Sequence, residues 1–227
     1  YLIGQSTAAI DICPHDSLKA DIAVRRPQEF LPPAGTLLKW YVIRKSNGDT
    51  LHSGTTAAGS DGLVTAPNIW VYKQPDTVRI RFTPAEFSMN IAVQNGWNLL
   101  SLPVTVSDPL KSTVYPSALS NGFIYNGTYQ IVDTLPYGKG YWLKFNSDQI
   151  VPMTGTERLC DTIDVVTGWN IIGSLSVPVP TSSISSIPGG LAVSSFFGYA
   201  GSYQVYDTLH PGKGYWVKVS QSGQLIL

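Results

Sequence analysis

A stretch of about seventy residues occurs twice in this chain. Gly96-Trp97-Asn98-Leu99-Leu100 returns as Gly168-Trp169-Asn170-Ile171-Ile172, and Phe123-Ile124-Tyr125-Asn126-Gly127-Thr128-Tyr129-Gln130 returns as Phe197-Gly198-Tyr199-Ala200-Gly201-Ser202-Tyr203-Gln204. Asp133-Thr134-Leu135-Pro136-Tyr137-Gly138-Lys139-Gly140-Tyr141-Trp142 returns as Asp207-Thr208-Leu209-His210-Pro211-Gly212-Lys213-Gly214-Tyr215-Trp216. The offset is 72 at the first block and 74 at the other two, which reads as one small insertion. Duplication at this length means a small structural unit used twice, and it sets the organisation of the chain before any site is considered. Glycines, tryptophans and turn residues recur; acids, histidines and nucleophiles do not recur as a set. The unit is built to pack rather than to react.

Its period is that of strands. No window of a dozen residues keeps the apolar spacing of an amphipathic helix, and 21 glycines with 16 prolines interrupt the chain too often for long helices. Leu37-Leu38-Lys39-Trp40-Tyr41-Val42-Ile43-Arg44 reads as a strand running into Asn47-Gly48, the pair that favours a type I′ hairpin with positive φ at both positions. Ile69-Trp70-Val71-Tyr72 and Val78-Arg79-Ile80-Arg81-Phe82 are further strands. Short helical turns are expected only at 112–119 and 182–187. The expected fold is all-β: an immunoglobulin-like or fibronectin-like sandwich over 1–86, then two homologous β-rich repeats, repeat 1 over 87–157 and repeat 2 over 158–227. Trp40 following Cys13 suits the sandwich, although no second cysteine stands near 78–82.

In each repeat, Ile91-Ala92-Val93 and Gly96-Trp97-Asn98-Leu99-Leu100 read as two strands around Asn95-Gly96. The Pro-x-Gly-Lys-Gly run reads as a hairpin turn between Tyr129-Gln130-Ile131-Val132 and Tyr141-Trp142-Leu143-Lys144-Phe145. Recurrence of Trp97, Trp142, Trp169 and Trp216 argues for core packing. Tyr125, Tyr129, Tyr199 and Tyr203 surround glycine-rich tips, where they serve either as stacking platforms for sugars or as cross-strand pairs.

Charge narrows the function classes. The 227 residues are 13% charged with a net charge of zero, which disfavours a nucleic-acid partner because phosphate binding needs a basic face. No apolar run approaches the ~18 residues of a membrane span. Nothing at the start resembles a signal peptide, so Tyr1 reads as a mature or trimmed beginning. His15, His52 and His210 lack metal-site spacing, and His210 replaces Pro136 as a turn residue. Only three glutamates occur, Glu29, Glu86 and Glu157, and there is no nucleophile elbow. Gly138-Lys139-Gly140 and Gly212-Lys213-Gly214 lack the spacing and following Ser or Thr of a phosphate loop. No cofactor, metal or catalytic residue is expected, and the chain reads as not an enzyme.

The GWN block followed by FxYxGxY and by DTL, PGKGYW and a Lys resembles a repeat of secreted proteins from the Bacteroidetes, Chlorobi and Ignavibacteria, which often precedes a type IX secretion sorting domain. The resemblance covers residues 89–227 and implies export to the cell surface or the extracellular space. Six of the twelve aspartates open an Asp-[Ser/Thr]-apolar triplet, where composition gives about one. The triplet resembles the acceptor site for protein O-glycosylation in Bacteroidetes, which marks Ser17, Thr50, Thr77, Thr134, Thr162 and Thr208 as glycan carriers. The alternative is that Asp-Thr starts a strand after a turn. In an exported chain Cys13 and Cys160 can pair as a disulfide; otherwise they are two free thiols.

The functional expectation is a non-catalytic structural or adhesive protein, a self-assembling subunit of a surface filament or appendage. The alternative is a carbohydrate-binding accessory module with a glycan ligand. The apolar start Tyr1-Leu2-Ile3 marks 1–12 as either the first strand of its own sandwich or a strand that pairs with a neighbouring subunit.

Overall fold

The computed structural model describes residues 17–24, 32–72 and 77–227, and the chain divides into two compact units, Tyr1–Ala85 and Glu86–Leu227. Both are all-β, built from antiparallel sheets. Among the described residues no helix is long and apolar enough to cross a membrane.

Unit 1 holds β1 (Ser17–Val24), β2 (Leu37–Arg44), β3 (Thr50–Ala57), β4 (Val64–Tyr72) and β5 (Val78–Pro84). β1 pairs with β4, and β2 lies between β3 and β5 in a separate sheet. Alternation along β2 sends Leu38, Trp40 and Val42 inward. Trp40 and Val42 meet Ala66 and Ile69 of β4, with Ile22, Leu51, Ile80 and Phe82 half-buried around them. Gly54 is the register partner of Trp40, and a Cβ there would meet the indole at 2.5 Å. The indole uses the room that glycine leaves. Gly48 has φ +82°, but Asn47 does not take positive φ, so the expected type I′ turn is not formed. A longer loop closes instead, with the Gly48 N–H donating to Arg44 C=O at 2.9 Å and a bulge between Val42 and Ile43.

Unit 2 contains both sequence repeats. Repeat 1 supplies β6 (Phe87–Val93), β7 (Gly96–Leu100), β8 (Val104–Thr105), the single-turn α1 (Lys111–Val114), β9 (Gly122–Tyr125), β10 (Tyr129–Val132), β11 (Tyr141–Phe145) and β12 (Gln149–Glu157). Repeat 2 supplies β13 (Thr162–Val165), β14 (Gly168–Ile172), β15 (Val179–Pro180), β16 (Ser185–Ile187), β17 (Phe196–Tyr199), β18 (Tyr203–Tyr206), β19 (Thr208–Leu209), β20 (Tyr215–Val219) and β21 (Gly223–Ile226). The four-stranded sheets have matching orders, β10-β9-β11-β7 and β18-β17-β20-β14. Each covers its own core with a three-stranded sheet, β6-β12-β8 in repeat 1 and β13-β21-β16 in repeat 2.

The GWN block makes the corner between those sheets. β6 pairs with β12 while β7 pairs with β11, so the chain changes sheet at Asn95 and Gly96 rather than forming a hairpin. Gly96 and Gly168 take φ +90° and +96°, a region costly for side chains with a Cβ. Asn98 closes its corner by accepting from Gln94 N–H at 2.9 Å and donating to Gln94 C=O at 2.8 Å. Asn170 repeats this with Val166 at 3.0 and 2.7 Å. Both asparagines are buried, and these bonds satisfy them there.

The repeats differ by more than one insertion. Lys111 N–H donates to Asp133 C=O, and Thr181 N–H donates to Asp207 C=O, an offset of 70 on the donor side. Ser120 and Ser194 accept from Lys144 and Lys218 N–H, an offset of 74. Repeat 2 therefore first loses two residues and then gains four. The gain falls between Thr181 and Ser194, where repeat 1 forms α1 and buries Tyr115, and where repeat 2 has a 3₁₀ turn (Thr181–Ser183), then β16 and Gly189-Gly190.

Candidate functional site

Pleat alternation gives each four-stranded sheet an inner face on its own core and an outer face. Leu100, Tyr141, Leu143 and Phe145 point inward in repeat 1. Leu99, Phe123, Tyr125 and Trp142 point outward, where they pack with Ile171, Tyr199 and Trp216 of repeat 2. The contact is reciprocal: Tyr125 meets Trp216 edge-on at 4.8 Å between centroids, and its counterpart Tyr199 meets Trp142 at 4.9 Å.

The Gly-Lys-Gly run is the second half of this contact. It is not a hairpin turn, because β10 and β11 are separated by β9 in the sheet. Each run crosses to the other repeat, with bridges between Leu100 and Lys213 and between Ile172 and Lys139. Ser101 N–H donates to Gly212 C=O at 3.0 Å, and Gly173 N–H donates to Gly138 C=O at 2.9 Å. Gly214 N–H reaches Leu99 C=O at 3.0 Å, and Gly140 N–H reaches Ile171 C=O at 3.2 Å. The lysines finish the clasp: Lys213 Nζ donates to Ala92 C=O at 2.6 Å and Lys139 Nζ to Asp164 C=O at 2.7 Å. Burial lowers the pKa of both ammonium groups; for Lys139 the charge of Asp164 partly opposes that shift.

Two polar features break the symmetry. Ser101 Oγ donates to Lys213 C=O at 2.8 Å and lies 3.0 Å from Ser174 Oγ, while Ser174 N–H donates to it at 3.1 Å. Between the repeats, Arg158 pairs with Asp161, donates to Leu102 C=O at 2.8 Å and lies 5.2 Å over the Tyr137 ring.

The outer face continues beyond the clasp into solvent. Trp97 and Trp169 are 43% and 41% exposed, so these two are surface residues, and of the four recurring tryptophans only Trp142 is buried. Trp97 stands on Phe123 at 5.9 Å, and Trp169 on Phe197 at 6.0 Å. Of the four tyrosines singled out in the sequence, Tyr125 and Tyr199 are half-buried in the clasp, whereas Tyr129 and Tyr203 are each 55% exposed. Tyr129 leans edge-on against Tyr125 and Tyr203 against Tyr199, both at 5.5 Å. The Tyr203 hydroxyl is shifted up, first by burial and then by the nearby Tyr129. The exposure of Trp97 and Trp169 is not legible in the sequence, because each tryptophan carries the same apolar signal whichever face it occupies.

The Asp-[Ser/Thr]-apolar positions lie at strand starts or loops. Thr50, Thr77, Thr134 and Thr162 are exposed, and Ser17 and Thr208 are half-buried. In the last three triplets the apolar residue, Leu135, Ile163 or Leu209, is buried in the core of its repeat. Thr208 Oγ donates to Asp207 at 3.1 Å. Cys160 is exposed and forms no disulfide among the described residues; Cys13, like Tyr1, Leu2 and Ile3, lies outside them. A cleft of about 370 Å³ opens beside the four-residue gain, between the Thr181, Ser185 and Ser186 hydroxyls and the apolar Leu191, Phe196 and Leu225. Among the described residues no three His, Cys, Asp or Glu side chains group as a metal site.

Comparison with protein-family models, curated proteins and solved structures returns no match for this chain.

Proposed function

We propose that this chain is a non-catalytic, exported structural or adhesive subunit that associates with copies of itself into a surface filament or appendage. One observation carries the reading: each of the three duplicated sequence blocks contributes to corners, cores or the reciprocal clasp. Gly96 and Asn98 turn the chain, Gly140 and Lys139 cross to repeat 2, and Tyr125 packs on Trp216. A duplication devoted to rigid packing suits a load-bearing module. Within this reading unit 1 is an immunoglobulin-like sandwich, unit 2 a pair of homologous repeats, and the exposed Asp-Thr hydroxyls carry glycans. Negative-stain imaging of surface material from the source organism, with antibody against this chain, tests it. Labelled polymers are expected; label confined to soluble monomers would overturn it.

A second reading rests on a separate observation. Trp97 and Trp169, each against a phenylalanine, and Tyr129 and Tyr203, each against a tyrosine, are exposed aromatic side chains of the kind that stack on sugar rings. A glycan array probed with the whole chain tests this reading, with Trp97→Ala and Trp169→Ala together abolishing any signal.

A further inference from the structure

We propose that the outer edge of β5 in unit 1, unpaired among the described residues, is an acceptor for the segment Ala8-Ala9-Ile10-Asp11-Ile12 of a neighbouring molecule. This rests on the self-association reading above and names the contact that would drive it.

Among the described residues, the strand order of unit 1 leaves a place beside β5. β1 with β4, and β2 between β3 and β5, reproduce strands B with E and C between C′ and F of an immunoglobulin-like sandwich. In that arrangement a strand G runs beside F. Here the chain leaves β5 at Pro84 and enters β6, which pairs with β12 of unit 2. The following segment is committed elsewhere, and among the described residues nothing pairs with the outer edge of β5. The core is open on the same side: Ile80 and Phe82 are only half-buried beside fully buried Val42 and Ile69. Unpaired N–H and C=O groups next to incompletely covered apolar side chains are what strand addition satisfies.

Pattern and charge select the occupant. β5 alternates Ile80 and Phe82 toward the core with exposed Arg79 and Arg81 outward. Ile10-Asp11-Ile12 has the same alternation with the opposite charge. Laid beside β5, the two isoleucines extend the core and Asp11 faces an arginine, a favourable cross-strand pair. Residues 1–10 contain no charged side chain to desolvate. Four residues, Cys13 to Asp16, separate Ile12 from β1, which belongs to the other sheet. At ~3.4 Å each they reach ~14 Å, against ~10 Å between packed sheets, so a neighbour's segment meets less constraint than the molecule's own. Head-to-tail repetition of such a contact grows an open chain of subunits.

A charge-swap mixing experiment decides it. Two full-length variants are made, Asp11→Arg and Arg81→Asp, and polymer is followed by sedimentation and electron microscopy. Each alone sets like charges together, and its critical concentration is expected to rise about tenfold. An equimolar mixture pairs each donor with the complementary acceptor and is expected to polymerise near the wild-type concentration. Rescue by mixing requires exchange between molecules; a segment folded onto its own β5 gives none. Wild-type polymer with both variants unaffected, or with no rescue in the mixture, overturns the inference while leaving self-association standing. If the wild type stays monomeric, self-association fails. The edge is then decided by titrating a chain lacking residues 1–12 with a peptide of residues 1–13. Saturable binding weakened about tenfold by Arg81→Asp would keep the acceptor edge, and no binding would overturn it.

Discussion

Gly140 and Gly214 meet in the middle of unit 2, so close that a Cβ built on Gly140 would lie 3.1 Å from the Gly214 Cα, and one on Gly214 3.2 Å from the Gly140 Cα. The two glycines hold matching positions in the two repeats. Each also faces a carbonyl oxygen at 2.9 Å from its own would-be Cβ, Ile172 for Gly140 and Leu100 for Gly214. The motif keeps glycine there because backbone must approach backbone.

Gly140→Ala and Gly214→Ala are therefore expected to destabilise the chain by about 1–3 kcal/mol each through overpacking. The pair should be non-additive, since both act on one contact. Gly189→Ala is the control, with open space at its Cβ and ordinary φ, and should stay within about 0.5 kcal/mol. Denaturant titration of the three variants gives the ranking. A Gly140→Ala chain as stable as the control would remove the clasp from the account.

Alkaline titration reads the cores. Burial raises the hydroxyl pKa of Tyr115 and Tyr141, and pushes that of Tyr215 to about 12. A folded-state pKa above the unfolded value means the native state binds more protons, so this contribution is complete below pH ~10 and is lost as pH rises beyond it. Lys139 and Lys213 act oppositely, since a lowered ammonium pKa makes the native state release protons first. Three buried phenols outweigh two partly exposed ammonium groups. Stability should fall above pH ~10, and the last tyrosinate absorbance should appear together with unfolding. A reversible, complete titration without loss of sheet signal would contradict this.

The four recurring tryptophans should separate into two classes. Trp142 is buried between the repeats, and Trp142→Ala is expected to cost about 3–5 kcal/mol. Trp97→Ala, at an exposed site, should cost under about 1.5 kcal/mol. Thermal melts of the two variants side by side provide the check.

Glycan occupancy should follow exposure. Thr50, Thr77, Thr134 and Thr162 present accessible hydroxyls, whereas Thr208 is half-buried and bonded to Asp207. Peptide mapping of protein purified from its source should find the first four modified more fully than Thr208. An intact mass equal to the bare chain would eliminate glycosylation.

The sequence by itself determined the strand periodicity, the duplication and the corner residues, because these depend on near neighbours. Gly96 needs positive φ, and Asn98 bonds only two and four residues back, so the GWN block turns the chain wherever it is placed. The alternation of Arg79, Ile80, Arg81 and Phe82 likewise declared which face packs on the core. Tertiary structure alone decided what the Gly-Lys-Gly run does. A positive-φ glycine between apolar strands looks the same in a hairpin and in a crossover, and Lys213 finds its carbonyl 121 residues away at Ala92. It also decided which tryptophans face water: Trp97 and Trp142 share the outer face, and only the arrival of repeat 2 covers one and leaves the other exposed. Burial on a shared face is set by what packs against it, and that partner is distant in the chain.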